Sequence, residues 1–462
     1  MRAHARTGAL EYSVKAEFAG ARTGRARLAW GQRAIWDAIQ QAGPANAHFF
    51  NIGRLIAFAR GRGPFPPEDV VAAVAALVVR HEALRASTHV DEDGEPYQVV
   101  HGEGALTIRS AECADAEADE VAEVLLAELA RTSFSPGDEW PARFGFVVVE
   151  GRVRHVVFVL CHLAADDYAA DLVARELRNL LLRGGFPVQP SQQLLDLVAE
   201  EESGVGRYRS EAALAHWENG YRRIPPTMFP AVVGPPAEPR WSRAVLESHA
   251  LEDAVAVVAA RHHVSTATVL MTAVTALLGP LLDHDVCAIT PIVHNRYRPA
   301  TRNLVATLTQ LGLFTMESDP LAPLAKTLEQ SHSDAMRSYR HAQYDQRAWD
   351  AMVDKVSSDR DVRVYPSCCF NDVRPVEQRM VTEPPAGNPC PAEVEWLPGV
   401  EHFNCDFCFV VTRQAGTLAI GLTADTCKFP RGRMVTLMRG VEELVVESAF
   451  RDTRPVDLQV LR

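Results

Sequence analysis

No segment of this 462-residue chain offers about 18 uninterrupted apolar residues, so a membrane-spanning helix is not expected. Residues 1–27 are arginine-rich but lack the apolar core of a secretory signal, and they read as a disordered or loosely attached leader. Basic surface is also lacking: the formal net charge of −12 gives phosphates nothing to bind, which argues against a nucleic-acid partner. There is no Walker loop and no Gly-x-Gly-x-x-Gly after a strand, so nucleotide and dinucleotide cofactors are unsupported. The nine cysteines are odd in number and scattered, which argues against a disulfide framework and for reduced thiols in a cytoplasmic setting. Cys405-x-x-Cys408 is a lone half-site; it lies in an alternating run with Phe407 and Phe409 and reads as a packed strand rather than a zinc or redox site. No repeat at a fixed short period is visible.

What is present describes a globular protein. Hydrophobic residues make up 47% and charged residues 23%, and the length suggests two domains of about 200 residues each. The N-terminal half reads as α+β. Val70, Val74, Leu77, Val78 and His81 share one stripe of a helix over 69–85, and a second helix is expected over 117–131. Two strands over 143–149 and 153–160 are joined by Glu150-Gly151, a tight-hairpin signal. Pro- and Gly-containing stretches over 184–192 and 224–239 flank a helical connector bearing Trp217. The domain boundary is expected there, giving an N-terminal lobe over 28–190, a connector over 191–240 and a C-terminal lobe over 241–462. In that last part helices are expected over 254–262, 267–282 and 431–449, and strands over 286–292 and 418–423.

The most informative stretch runs from Val153 to Asp167. A β-branched apolar run ends at Leu160, and Tyr168, Leu172, Val173, Leu177, Leu180 and Leu181 then recur at helical spacing. His162 therefore lies on a strand-to-helix loop. Asp166 or Asp167 stands where a helix N-cap belongs, with a carboxylate able to accept bonds from the unpaired amides of the first turn. By strand geometry Cys161 and His162 point to opposite faces, which argues against a cysteine–histidine dyad.

The loop Cys161-His162-Leu-Ala-Ala-Asp166-Asp167 resembles the His-His-x-x-x-Asp-Gly signature of the condensation domains of nonribosomal peptide synthetases, in the chloramphenicol-acetyltransferase-like superfamily. Leu28-Ala-Trp-Gly-Gln32-Arg-Ala-Ile-Trp36 with Phe50-Asn51-Ile52 is similar to that family's opening block. Arg80-His81-Glu82-Ala83-Leu84-Arg85 is similar to its second block and is the most specific match. Thr290-Pro291-Ile-Val-His-Asn295-Arg296 and Leu311-Gly312-Leu-Phe314 are similar to later ones; His341-Ala-Gln343-Tyr344-Asp345 and Phe370-Asn371 fit loosely. The resemblance runs from about Leu28 to about Ser448.

The resemblance implies two chloramphenicol-acetyltransferase-like lobes in a V around a central tunnel, with His162 as the catalytic residue. Asp166 would be structural and paired with Arg296. Cys161 and Asp167 are departures: Cys161 fills the place of the first histidine as a small buried thiol, and Asp167 replaces a glycine. The Asp167 charge would favour an imidazolium at His162 or hold a cationic acceptor, narrow the tunnel, or merely cap the helix. A metal site built from His162, Asp166, Asp167 and Asp171 is weighed and set aside; no metal is expected.

The leading expectation is a free-standing condensation enzyme that moves an acyl or aminoacyl group from a phosphopantetheine thioester to an amine or hydroxyl. No bound cofactor is required, because the arm belongs to an acyl or peptidyl carrier protein acting in trans, and a monomer is the default. The rival is a noncatalytic scaffold that recruits a partner enzyme or carrier protein, as in the related domains that recruit cytochrome P450 enzymes; an acyl-CoA-dependent transferase is a third reading.

Overall fold

The computed structural model describes residues 10–461 apart from 21, 60–64, 187, 230–231, 375–391 and 415–416. Two compact units emerge: one extends to Tyr208 and takes back His294–Gln310, the other comprises Arg209–Val293 and Leu311–Arg462. Each carries its own sheet and helices, so the fold is α+β in two sheet-bearing lobes.

In the first unit a five-stranded sheet runs in the order Leu10–Phe18, Gly104–Glu112, Ala142–Val149, Arg152–Cys161, Asn51–Ala57. The pairing of Gly104–Glu112 with Ala142–Val149 is parallel and the others are antiparallel. The apolar run of Arg152–Cys161 is continuous because the strand is covered on both faces. Val156, Phe158 and Leu160 join a core with the helices Pro67–Arg80 and Asp167–Arg183, while Val157 and Val159 pack with Val121, Ala122 and Leu125 of the helix Ala118–Ala130. Close approach of that helix needs Gly145, where a Cβ would fall 2.9 Å from Leu125 Cδ2. The hairpin turn places Glu150 at φ 51° and Gly151 at φ 71°, the left-handed pair that matches strand twist. A small three-stranded sheet, Gly24–Arg27, Pro96–Val100 and Ala86–Val90, completes the unit.

Two expectations are corrected. Residues 10–20 and 22–27 are no loose leader: Leu10–Phe18 pairs along its length with Gly104–Glu112 and buries Ala16 and Phe18, and Gly24–Arg27 pairs with Tyr97–Val100. Residues 1–9 lie outside the described residues. Nor is 191–240 a separate connector, although the units divide inside it, after Tyr208, where the boundary is expected. Leu194–Glu202 is a helix whose Leu194, Leu197 and Val198 belong to the first core, whereas Ala213, Trp217 and Tyr221 of the helix Gly204–Arg223 belong to the second. The apolar side chains decide this, since each helix must bury its own stripe.

In the second unit Val286–Val293, Cys368–Asp372, Phe407–Gln414, Thr417–Asp425, Trp241–Ser248 and Val394–Val400 lie side by side in that order, and Phe314–Glu317 pairs with Val286–Val293. The helices His249–His262, Thr266–Leu282, Leu324–Arg340 and Arg431–Ser448 contribute to one core with the sheet. Among the described residues no single helix is long and apolar enough to cross a membrane.

Candidate active site

The strand Arg152–Cys161 ends on a tight turn in which the Cys161 carbonyl accepts from Ala164 N at 2.8 Å. The helix Asp167–Arg183 starts six residues later, capped by Asp166, whose Oδ1 accepts from Ala169 N at 2.9 Å. His162 lies on the loop, half-buried. Its Nδ1 is 3.0 Å from the Ala165 carbonyl. A carbonyl only accepts, so Nδ1 carries the proton and Nε2 the lone pair in the neutral ring.

The loop is held from below by a buried ion pair. Arg296 Nη1 donates to Asp166 Oδ2 at 2.7 Å, and the same oxygen accepts from Leu308 N at 3.0 Å and Thr309 Oγ1 at 2.9 Å. Arg296 also donates to the carbonyls of His294 at 3.1 Å and Ala306 at 2.8 Å, so the guanidinium is locked as firmly as the carboxylate. Burial pushes the Asp166 carboxyl up, but Arg296 and the amides of Ala169 and Leu308 outweigh it and hold the group below the usual carboxylate range. The anchoring segment turns at Asn295, with φ 55°, a conformation asparagine tolerates, and its Nδ2 donates to Leu308 O at 2.9 Å. Thr307 Oγ1 donates to the His162 carbonyl, tying the loop to the same segment. Tyr168 stacks on His294 with ring centroids 5.8 Å apart and lies beneath the Arg296 guanidinium at 4.7 Å. Burial, then Arg296, lowers the affinity of His294 for a proton.

Cys161 is buried, and burial pushes its thiol up to about 11, so it is a poor thiolate. It lines a small pocket with Gln32, Ala83, Leu163 and Ala164, of which His162 is not a lining residue. Asp167 is exposed; its carboxylate accepts from Arg54 Nη2 at 3.0 Å, and Asp171 accepts from Arg54 Nε at 2.6 Å. Among the described residues no cluster of histidine, cysteine or carboxylates is arranged to hold a metal, and Asp166, Asp167 and Asp171 are each committed to an arginine.

Other motif residues converge below the loop. Gln32 Nε2 donates to Leu163 O at 2.8 Å, and Gln32 exchanges amide hydrogen bonds with Gln98 at 2.9 and 3.2 Å. His81 Nε2 meets Glu176 Oε2 at 2.7 Å, and Arg80 Nε donates to the same oxygen at 2.8 Å. Four contributors carried no readable signal: Arg54, Thr307, the Leu308 amide and Thr309. They approach from distant segments, and nothing in their local pattern marks them.

The family model of the condensation domain matches residues 40–373. The chain belongs to that family. Condensation-domain relatives include tyrocidine synthase 2 of Brevibacillus parabrevis, 25% identical over 308 residues, and the isonitrile lipopeptide synthase of Mycobacterium tuberculosis, 26% identical over 366 residues. The alignments cover 63% and 73% of this chain but only 8% and 14% of those synthases. In structure the chain is similar to the condensation domain of the monacolin K polyketide synthase MokA, with a TM-score of 0.71 and 13% identity over 93% of this chain and 98% of that one. At that identity the likeness is one of fold.

Proposed function

We propose that this condensation domain transfers an acyl or aminoacyl group from the phosphopantetheine thioester of a carrier protein to an amine or hydroxyl acceptor, forming an amide or an ester in natural-product biosynthesis. One observation carries the reading: His162 Nδ1 is engaged by the Ala165 carbonyl, which leaves Nε2 as the ring nitrogen available to take a proton. The acceptor attacks the thioester carbonyl carbon, the new C–N or C–O bond forms, and the C–S bond breaks. Nε2 takes the proton of the attacking group and passes it to the departing pantetheine sulfur. For an amine, positioning dominates because the nucleophile is already potent; for a hydroxyl, the base carries more of the barrier. Asp166 and Arg296 act only by holding the loop. The pantetheine arm is delivered by the carrier, so the domain needs no cofactor of its own.

A scaffold without turnover is favoured by two observations, the buried Cys161 in place of a histidine and the Arg54-bound Asp167 in place of a glycine. The deciding experiment assays carrier-bound and N-acetylcysteamine acyl thioesters against a panel of amines and alcohols. His162→Ala is expected to lower transfer by about 10²–10⁴-fold with carrier binding intact. Unchanged transfer in that variant overturns the catalytic reading, and carrier or enzyme binding without turnover in any Asp167→Gly variant supports the scaffold.

A further inference from the structure

Three thiols meet in the second unit, and the alternation along two strands explains which. Cys368–Asp372 and Phe407–Gln414 pair in parallel, with Cys368 opposite Phe407, Cys369 opposite Cys408 and Phe370 opposite Phe409. Successive residues face opposite sides. Cys368, Phe370, Phe407 and Phe409 therefore enter the core, where the rings of Phe370 and Phe409 stack 6.0 Å apart, while Cys369 and Cys408 share the other face. There the two sulfurs lie 3.3 Å apart. Cys405, just before the strand, donates to the Phe407 carbonyl at 3.3 Å and lies in hydrogen-bonding reach of Cys369 and Cys408. Cys369 and Cys405 are half-buried and Cys408 is buried, which makes Cys369 the outer member of the pair. The alternation expected of Cys405, Phe407 and Phe409 is thus interrupted: Cys405 precedes the strand and sits with the opposite face.

We infer that Cys369 and Cys408 are a redox-active pair, with Cys405 as a supporting thiol, that closes to a disulfide on meeting a small-molecule disulfide of the glutathione class. Its neighbours hold the Cys369 thiol well above the ordinary range, so it gives up its proton only as its sulfur attacks one sulfur of the reagent, forming a mixed disulfide and releasing one small thiol that takes that proton. Cys408 then attacks the Cys369 sulfur and releases the second. Two protein thiols and one small disulfide become one protein disulfide and two small thiols, which carry off both protons. Hydrogen bonds from Cys369 and Cys405 favour the Cys408 thiolate, and Cys405 keeps that role once Cys369 is capped. Cys368, on the core face, is raised well above the ordinary thiol range by burial and takes no part. The closed form cross-links two strands across 39 residues of chain.

The test incubates the full chain in glutathione buffers of graded ratio, followed by acid quench, alkylation and peptide mass mapping. The expected result is the loss of two alkylatable thiols, a Cys369–Cys408 cross-linked peptide reversed by dithiothreitol, and a melting temperature raised by several degrees. Cys369→Ser and Cys408→Ser each abolish the link, Cys368→Ser retains it, and Cys405→Ala retains it with slower closure. A stable glutathione adduct without an internal link, a link between chains, or retention of all free thiols at the most oxidising ratio overturns the inference. Because the wild-type map is decisive alone, a variant that fails to fold does not leave the question open.

Discussion

Asp166 shows how much can depend on one carboxylate. It caps the helix that follows His162 and neutralises an arginine whose side chain has no exposed surface. Removing it leaves that charge buried without a counter-charge, a loss of about 3–5 kcal/mol by analogy with broken buried pairs. Asp166→Ala is therefore expected to lower the urea midpoint far more than Arg54→Ala, whose partners Asp167 and Asp171 are 63% and 68% exposed and whose loss should cost under about 1 kcal/mol. Equal destabilisation by the two variants would contradict this ranking. Asp166→Asn should fall between, since an amide oxygen keeps the cap but not the charge.

At the scale of the element, the helix Trp30–Ala42 is seated against the segment that anchors the loop. A Cβ on Gly31 would lie 2.5 Å from the Thr307 carbonyl oxygen and 3.1 Å from the Leu308 carbonyl carbon, both main chain. Alanine favours the helix by about 1 kcal/mol, but displacing a packed backbone costs about 1–3 kcal/mol. Gly31→Ala is thus expected to destabilise, and by moving Thr307 and Leu308 to reduce transfer as well; a stabilised, fully active variant would show that the segment can give way freely. The strand Arg152–Cys161 was readable from its apolar run, as was the hairpin before it, because both signals are local. That its two faces serve two different cores was not, since a continuous apolar run carries no record of what covers it.

For the whole molecule, the pH dependence follows from six buried or half-buried histidines. Burial lowers the proton affinity of His81, His101, His155, His216, His294 and His341 in the folded state. Each is neutral in both states well above about pH 6.5; below that the unfolded chain takes up protons that the folded chain resists, and stability falls. Asp166, Glu176 and Asp425 have folded values below the ordinary range, so their contribution is present above about pH 4 and is lost as pH falls further. Urea midpoints are expected to be level from pH 8 to 7, to decline from about pH 6.5, and to drop again below about pH 4. A midpoint that rises between pH 7 and 5.5 would show that the histidines gain partners on folding instead.

The sequence by itself determined the local frame: the strand into Cys161, the loop bearing His162, the helix cap at Asp166 and the order of the family's motifs. These depend on periodicity and on residues within one turn of each other. Only the tertiary structure decided what holds and surrounds them. Arg296 reaches Asp166 across 130 residues, Arg54 reaches Asp167 across 113, and Cys369 meets Cys408 across 39. Such contacts depend on which strands become neighbours and in what register, and that follows from burying apolar faces across the chain rather than from any pattern at the contacting residues.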